Sequence, residues 1–239
     1  MKIIYSLRRL HGVTNDFIEK QRRDISVIAR KYRNFRERKK IKKDSFTIIS
    51  NTCIGGVICH DLGKPFLSPT VNIYIRPKDF VKFCMNIKHY LEIPLTEIPY
   101  NADIGYPVAR LDDIVLYCKH FKDFDEANDA WNRRKARIDW DNVYFIMTDR
   151  DFIPPVSITN TIQACDEDDI RKFDLLPFTN KICIVRNADY VKKYESCRLL
   201  LRGNDSKCVG IITNIIGITG KRMYQYVENF DYIQFLNGE

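Results

Sequence analysis

The sequence predicts a layered α/β protein, in which a largely parallel sheet is flanked by helices and preceded by a long basic helix. Three observations predict this class. Short apolar segments typical of buried strands alternate with amphipathic helical segments. The 239 residues are 45% hydrophobic and 12% aromatic, as expected of a globular chain with a sizeable core. The excess of basic residues is concentrated near the N-terminus.

The N-terminal segment carries the net charge. Residues 1–44 contain fifteen Lys or Arg against five acids, whereas the rest of the chain contains 24 against 26. Between Thr14 and Lys39 there is neither Pro nor Gly, and five apolar residues recur at steps of three, four or seven: Ile18, Ile25, Ile28, Tyr32 and Phe35. We therefore divide the chain into a basic amphipathic helical segment, 1–44, and an α/β domain, 45–239. The apolar stripe is expected to dock on the protein's own core.

The α/β domain alternates predicted strands with predicted helices. Strand patterns cover residues 46–50, 71–75, 114–118, 143–147 and 182–185. One helix is predicted in "RPKDFVKFCMNIKHYLE", with Pro77 at its first position, and another in "DFDEANDAWNRRKARI", whose opening acids suit the helix dipole. The C-terminal part predicts a turn at 217–220, a helix and a final strand ending at 236–238.

Polar residues follow three of the predicted strands. In parallel sheets, ligands bind beyond the carboxyl ends of the strands. The residues at these ends are Ser50, Asn51 and Cys53 after the first strand, Lys119 and His120 after the third, and Thr148, Asp149, Arg150 and Asp151 after the fourth. We therefore expect a site that includes Cys53, His120 and Asp149.

The stretch "SNTCIGG" gives this expected site its chemistry. A cysteine at a strand-to-helix turn has its thiolate favoured by free helix N–H groups, and His120 could act as its base. Asn51 and the amides of Gly55 and Gly56 could then surround an oxyanion, as in an acyl-transfer site. The alternative is that Cys53 is a small buried apolar residue and that the glycines belong to a tight turn.

Other residues suggest metal-dependent chemistry as an alternative to a thiol nucleophile. Cys59 and His60 with Cys118 and His120 suggest zinc, but their spacing is not that of a zinc-ligand set. Asp112 and Asp113, or Asp149, could hold a divalent metal and a diphosphate, with arginines on one helix face clamping a phosphate; the alternative is a surface loop and a solvated helix. No glycine-rich nucleotide fingerprint is present, and the sequence identifies no cofactor.

Three stretches resemble a bacterial family of unknown function that is often described as exopolysaccharide biosynthesis proteins. They are "FTIISNTCIGGVICHDLGKPFLSPTVNIYI", "YPVARLDDIVLYCKHFKDFDEANDAWNRRKARIDWDNVYFIMTDRD" and "FTNKICIV" with the terminal "FDYIQFLNG". The resemblance covers roughly Phe46 to Gly238 and implies an α/β fold and a surface-polysaccharide substrate class. The family pattern Ser-Asn-Asn-Cys-aromatic-Gly-Gly is matched here except that Thr52 and Ile54 replace the second Asn and the aromatic residue.

The resemblance also implies a set of site residues. Those carried over for substrate binding, with Ser50, Asn51, Gly55 and Gly56, are Ser68, Arg110, Asp112, Asp113, Trp131, Arg134 and Arg137. The short Asn-x-Cys turn is also similar to that of hydrolase-like polysaccharide acyltransferases.

Three functional hypotheses follow. The first is an acyl- or related group-transferase acting on a surface-polysaccharide precursor, with Cys53 as nucleophile and His120 as base. The second is metal-dependent glycosyl or glycerol-phosphate transfer through Asp112, Asp113 or Asp149. The third is a non-catalytic scaffold of an assembly complex. The expected partners are accordingly a saccharide and an activated sugar or acyl donor. The sequence does not determine whether the chain forms an oligomer.

The basic segment has its own expected partner. No apolar run approaches the roughly 20 residues that span a bilayer, and two early arginines interrupt the apolar start, so we expect a cytoplasmic protein. Residues 14–43 are expected to bind the anionic inner leaflet peripherally, since each basic side chain near such a surface contributes roughly 1 kcal/mol. Nucleic acid is disfavoured, because the α/β domain is slightly acidic and shows no nucleic-acid motif.

Overall fold

The computed structural model describes residues 2–99, 105–149, 165–200, 217–221, 227 and 230–239, with side chains from residue 20 onwards. The helices in these ranges are α1 (Lys2–Arg38), α2 (Ile54–Leu62), α3 (Pro77–Met85), α4 (Ile87–Glu92), α5 (Phe124–Lys135), α6 (Glu167–Asp174), α7 (Ala188–Lys193) and α8 (Tyr232–Asn237). The strands are β1 (Thr47–Ser50), β2 (Tyr74–Ile75), β3 (Thr96–Ile98), β4 (Val108–Leu111), β5 (Ile114–Tyr117), β6 (Val143–Thr148), β7 (Lys181–Val185) and β8 (Cys197–Leu199).

A four-stranded parallel sheet forms the centre of the fold, in the order β1-β6-β7-β8. Successive side chains of a strand point to opposite faces, and both faces of this sheet are buried. On β6, Tyr144 and Ile146 contact the core beneath α2 and α8, whereas Phe145 and Met147 contact the core beneath α3 and α6. The predicted layered α/β class with a parallel sheet flanked by helices is confirmed.

A second sheet is antiparallel, in the order β2-β5-β4-β3, and the sequence did not predict it. The prediction that the segments 71–75 and 114–118 join the parallel sheet is wrong, because β2 and β5 lie in this second sheet. Leu111 and Ile114 pair directly across a two-residue turn, so β4 and β5 form a hairpin. Apolar runs of this length do not reveal which sheet they join, because parallel and antiparallel buried strands share one composition.

The two principal predicted helices are present. Pro77 occupies the start of α3, where its missing N–H would have no helical partner. The predicted helix is interrupted at Asn86, and α4 continues it. The side chain of Asp123 accepts a hydrogen bond from the amide of Glu126, which caps α5 as the acidic opening indicated.

The predicted C-terminal strand is wrong, because residues 232–237 form α8. The Asp231 carboxylate accepts hydrogen bonds from the amides of Ile233 and Gln234, and Gly238 ends the helix in the left-handed conformation. Tyr144 Oη donates to the carbonyl of Leu236 at 2.6 Å, which holds α8 over the parallel sheet. The turn at 217–220 is present, and most of the helix predicted after it lies outside the described residues.

The long helix α1 packs through the face opposite to the predicted one. Its apolar stripe is exposed, with Ile25, Ile28, Tyr32 and Phe35 each more than 50% accessible. The buried face is polar instead and consists of Ser26, Arg30, Asn34 and Glu37. The side chain of Ile18 lies outside the described part of the chain. The expectation that the stripe docks on the core is therefore wrong, and the physical reason lies in the partner that α1 meets on α2.

That partner is Asp61, an acidic residue of α2 that is 1% exposed. A buried carboxylate is stable only when it is paired, and the groups that pair it come from α1. The Arg30 guanidinium forms an ion pair with Asp61 and donates to the carbonyl of Gly220 at 3.1 Å. Asn34 Nδ2 donates to Asp61 Oδ1 at 3.1 Å, and Arg38 Nε donates to the Asp61 carbonyl at 2.8 Å. The polar face of α1 is thus the docking face.

We expect Asp61→Ala to lower the free energy of unfolding by about 3 to 5 kcal/mol, because it leaves the buried Arg30 charge without its carboxylate. Urea denaturation followed by circular dichroism measures this change. Asp189→Ala, which removes an exposed ion pair with Lys192, is the matched control and should leave the midpoint unchanged. Equal midpoints for the two variants would show that the ion pair does not hold α1.

Candidate functional site

The turn that follows β1 is held by Asn51, which is completely buried. Its Nδ2 donates to the carbonyl of Thr148 and its Oδ1 accepts from the amide of Thr148, both at 3.0 Å. Its backbone carbonyl accepts a hydrogen bond from the amide of Ile75 at 3.1 Å. Asn51 therefore joins β1 and β6 to the start of the second sheet. Both polar atoms of the Asn51 side chain thus bind the backbone of Thr148. The oxyanion role predicted for Asn51 stays a prediction.

Ser50 and the two glycines bring α2 close to β1. The amide of Gly55 donates to Ser50 Oγ at 3.2 Å, which occupies the N–H group that the sequence assigned to an oxyanion. A Cβ on Gly55 would lie 2.9 Å from Ser50 Oγ and 3.0 Å from Ile48 Cγ2, and one on Gly56 would lie 3.2 Å from Val71 Cγ1. The glycines thus permit close packing at the beginning of α2.

Cys53 and His120 lie in direct contact. Cys53 occupies the N-cap position of α2, and its Sγ is 3.3 Å from Nε2 of His120. Cys53 is partly buried and His120 is exposed, so the pair is reachable from solvent. Within the described residues, no other hydrogen-bond partner of His120 is found, so no described carboxylate orients the ring. The arrangement is a thiol–imidazole pair at a helix N-terminus.

The route by which His120 reaches Cys53 differs from the predicted one. His120 follows β5 of the antiparallel sheet, so it does not lie at the carboxyl end of a parallel strand. Three backbone hydrogen bonds hold the turn that carries it: Cys118 N to the carbonyl of Pro107, Lys119 N to that of Tyr117, and Phe121 N to that of Cys118. Asn51 joins the two sheets two residues before the cysteine, which brings the pair together.

Lys119 adds a positive charge beside the thiol. Its Nζ lies 5.0 Å from the centre of the Tyr74 ring and 5.7 Å from that of Tyr106, within the range of cation–π contacts. Burial raises the pKa of the Cys53 thiol, and the charge of Lys119 opposes that shift. Of the two effects on this pKa, burial is the larger. The sequence places Lys119 next to His120 at the end of a predicted strand, and this adjacency is the signal that it belongs to the site.

Asp149 lies at the carboxyl end of β6 and is 1% exposed. Its amide donates to the carbonyl of Ile184 at 3.2 Å, and its Oδ2 accepts from the amide of Arg186 at 3.5 Å. These contacts run toward β7, on the side of β6 away from β1. Arg150 and Asp151, which were named with it, lie outside the described residues. The predicted catalytic role of Asp149 stays a prediction.

Several residues implied by the resemblance support the shape of this region. Ser68 Oγ is 3.0 Å from Thr70 Oγ1, which accepts a hydrogen bond from the amide of Ser50 at 3.1 Å. Arg134 is buried on α5 and donates to the carbonyl of Val71 at 2.9 Å. Burial lowers the pKa of Arg134. The hydrogen bond from Arg134 holds Val71 in place, and Val71 packs against Gly56.

Trp131 and Arg137 take different environments on and after α5. Trp131 is completely buried in the core under the second sheet, whereas Arg137 is exposed beyond the end of α5. A core position accounts for Trp131 without a substrate. The substrate-binding roles of both stay predictions.

The acidic pair Asp112-Asp113 forms the turn of the β4–β5 hairpin, and Asp112 adopts a left-handed φ of 56°. Asp113 accepts a hydrogen bond from Tyr90 Oη at 2.6 Å and pairs with Lys82 at 2.9 Å, and these contacts lower its pKa. Asp112 lies 3.1 Å from His89 Nε2. Arg110 is exposed on β4. These contacts give Asp112 and Asp113 a structural role in holding the surface turn between β4 and β5.

The described residues contain no group of three or more His, Cys, Asp or Glu arranged to hold a metal ion. The zinc set considered from the sequence is divided, because Cys59 lies in the core beneath α2 and Cys118 in the core on the other face of the sheet. The exposed His60 ring lies against Asp61 instead. All seven described cysteines are free thiols, and Cys208 lies outside these residues.

These features define the class of protein: a layered α/β fold with a thiol–imidazole pair at the helix N-terminus that follows the first strand. Residues 24–237 match the family described as a domain of unknown function, DUF1919, and the chain belongs to that family. The match begins within α1, before the start of the resemblance at Phe46, so the family region includes the C-terminal part of that helix.

One relative is similar to this protein over most of the chain. The protein is 34% identical over 222 residues to a Haemophilus influenzae protein described as uncharacterized, and the match covers 89% of this chain and 95% of that one. Neither comparison specifies polysaccharide biosynthesis, so this part of the resemblance stays a prediction. In the described residues, no helix has the length and hydropathy of a membrane span.

We expect Cys53 to be the first described cysteine to react with iodoacetamide, because the other six are buried. Only the thiolate reacts, and burial keeps the pKa of Cys53 above its ordinary value of 9.0, so the rate should rise as the pH rises through that region. His120→Gln should slow the reaction at neutral pH about tenfold or more, because the proton acceptor is lost. Mass spectrometry of the Cys53 peptide measures the rate.

His60→Gln is the matched control, since His60 is exposed and remote from the thiol in its hydrogen bonding. A rate that is unchanged in His120→Gln would mean that the imidazole does not act on Cys53. Preferential labelling of a buried cysteine such as Cys84 would place the reactive thiol elsewhere.

Proposed function

We propose that the protein is a thiol-dependent acyl- or related group-transferase, in which Cys53 is the nucleophile and His120 the general base. The observation that carries the proposal is the 3.3 Å separation of Cys53 Sγ and His120 Nε2 at the N-terminus of α2. A nucleophile within hydrogen-bond reach of a base is the arrangement that covalent catalysis requires. A purely structural cysteine needs no exposed imidazole beside it.

The protonation state of Cys53 determines the role of His120. Because burial raises the pKa of the thiol, little thiolate exists at neutral pH, and the sulfur needs a base when it attacks. The exposed imidazole is in place to accept that proton. The pair therefore acts as a hydroxyl–imidazole pair does in other transferases, with deprotonation coupled to attack rather than completed beforehand.

In the first half-reaction, Nε2 of His120 accepts the thiol proton while Cys53 Sγ forms a bond to the carbonyl carbon of an acyl donor. The carbonyl π electrons move to oxygen and form a tetrahedral oxyanion. When the carbonyl re-forms, the bond to the leaving group breaks, and the leaving group takes the proton from His120. The product is a thioester on Cys53.

In the second half-reaction, an acceptor hydroxyl attacks the thioester. His120 accepts the hydroxyl proton, the new carbon–oxygen bond forms, and the carbon–sulfur bond breaks. Cys53 leaves as a thiolate and regains the proton from His120. The acceptor class belongs to the same proposal and comes from the sequence resemblance: a saccharide hydroxyl of a surface-polysaccharide precursor.

Two positive features favour the negative charge that develops in both steps. The N-terminus of α2 carries the positive end of the helix dipole next to Cys53. Lys119 lowers the energy of a negative charge near the sulfur, as its effect on the pKa of Cys53 indicates. Asn51 and Gly55, which the sequence predicts beside the oxyanion, bind Thr148 and Ser50 through their amide groups. The proposal therefore adds the α2 dipole and Lys119 as sources of positive charge.

We expect Cys53→Ala to abolish acyl transfer from p-nitrophenyl acetate, used as a chromogenic donor, and His120→Gln to slow it by roughly 10²- to 10⁴-fold. Intact-mass analysis should show one acetyl group on the wild-type chain and none on Cys53→Ala. Saccharide acceptors should then discharge the acetyl group faster than water does.

Cys84→Ala and His60→Gln are the matched controls, since they remove a thiol and an imidazole outside the pair. Wild-type rates in both Cys53→Ala and His120→Gln would remove the mechanism. An acetyl group that forms on Cys53 but is not passed to a saccharide would retain the nucleophile and reject the acceptor class.

A further inference from the structure

The outward face of α1 is apolar from Ile25 to Phe35. Ile25, Ile28, Tyr32 and Phe35 are 51%, 66%, 63% and 53% exposed. At about 100° of rotation per residue, the four side chains form one stripe, which we call the outer stripe, directly opposite the buried polar face around Arg30. Four large apolar residues in a single exposed row form a patch that marks a contact surface.

Basic residues surround this stripe. In the segment 20–43 nine basic residues are exposed, whereas one acidic residue, Asp24, is exposed. The basic residues are Lys20, Arg22, Arg23, Lys31, Arg36, Arg38, Lys39, Lys40 and Lys42. The surface that meets the outer stripe must therefore be apolar at its centre and negatively charged around it.

The geometry of individual side chains agrees with such a surface. By helical rotation, Lys31 and Arg36 lie on opposite edges of the outer stripe. Lys39 Nζ lies 4.3 Å from the centre of the Phe35 ring, so its charge is carried next to the apolar row. Long basic side chains beside an apolar row can extend to headgroup phosphates while their stems stay in apolar surroundings.

A groove opens alongside the outer stripe. It has a volume of about 730 Å³, and Tyr32 belongs both to the stripe and to the groove wall. The charged residues that line the groove are Arg33, Arg36, Glu37, Lys40, Lys221 and Asp231. Basic side chains outnumber acidic ones by four to two and come from both walls, which suits a phosphate-bearing group at the edge of the apolar contact.

A second copy of this chain fits the face less well. A two-fold contact brings the same patch of both copies together. The outer stripe would then face its own copy, and Lys31, Arg36 and Lys39 of the two chains would crowd into one interface with a single exposed acid, Asp24, to offset them. Like charges brought together without partners oppose association. An anionic lipid surface supplies the missing negative charge.

We propose that the outward face of α1 binds an anionic lipid bilayer, with the outer stripe inserted at the level of the headgroups and the flanking basic residues on lipid phosphates. The helix lies parallel to the membrane, as helices with one apolar and one polar face do. The buried Arg30–Asp61 ion pair on the opposite side of α1 then attaches the α/β domain to the membrane-bound helix. The proposal does not rest on the reaction at Cys53.

Flotation with lipid vesicles tests it. The full chain should float with vesicles of phosphatidylcholine mixed with phosphatidylglycerol at low salt, and much less at high salt or with phosphatidylcholine alone. Each basic residue near such a surface is worth roughly a five-fold change in the partition coefficient, so Lys31→Gln/Arg36→Gln/Lys39→Gln should lower it about 100-fold. Ile25→Ser/Ile28→Ser/Phe35→Ser should lower it about tenfold or more.

Matched controls carry the same changes elsewhere on the surface. Leu175→Ser/Met85→Ser removes exposed apolar side chains, and Lys88→Gln/Arg133→Gln/Lys135→Gln removes positive charges; both should bind as the wild type does. The α1 substitutions are on exposed side chains, so unchanged thermal unfolding should accompany the loss of binding.

Equal flotation with neutral and anionic vesicles would overturn the proposal, as would equal losses in the α1 and control variants. The alternative outcome has two parts: the chain does not float, and analytical ultracentrifugation shows a dimer that becomes a monomer in the Ile25→Ser/Ile28→Ser/Phe35→Ser variant. That outcome would assign the outer stripe to a second copy instead.

Discussion

The fold around the candidate site depends on the buried side-chain amide of Asn51. The side chain satisfies the N–H and C=O of Thr148 at the end of β6, while the backbone carbonyl of Asn51 accepts the amide of Ile75 in the second sheet. Without the side chain, the buried N–H and C=O of Thr148 would be left unpaired, and each such loss costs about 1 to 3 kcal/mol. The parallel and antiparallel sheets are therefore joined by hydrogen bonds at one residue, two positions before Cys53.

The position of the reactive pair follows from that junction. Cys53 comes from the end of the parallel sheet, and His120 comes from a turn of the antiparallel sheet, yet they lie 3.3 Å apart. Burial raises the pKa of the Cys53 thiol, while the imidazole beside it stays exposed. This combination holds an unreactive resting state beside a base, and the positive charge of Lys119 is in reach of the charge that forms.

The same physical rule, that buried charge requires a partner, determines how α1 lies. Asp61 is placed by α2 in a position with almost no solvent contact, and Arg30 with Asn34 supply its partners. The ion pair with Arg30 and the hydrogen bond from Asn34 offset the cost of removing the Asp61 carboxylate from water, whereas an apolar side chain on that face of α1 would leave the carboxylate unpaired. The helix consequently presents its outer stripe away from the domain, where Lys39 and its basic neighbours accompany it.

By itself, the sequence determined the local elements of this protein, and it did so where the signal is short-range. The apolar runs of β1, β6 and β7, the proline at the start of α3 and the acidic cap of α5 each depend on neighbouring residues, and each is present. It also placed Cys53 and His120 just after strands. The strand before His120, however, belongs to the antiparallel sheet and not to the predicted parallel one. Tertiary structure decided the rest: the antiparallel sheet, the helix at 232–237, and the buried face of α1. Periodicity identifies an apolar stripe but not what covers it, and here the partners of Arg30 lie 31 and 190 residues away along the chain.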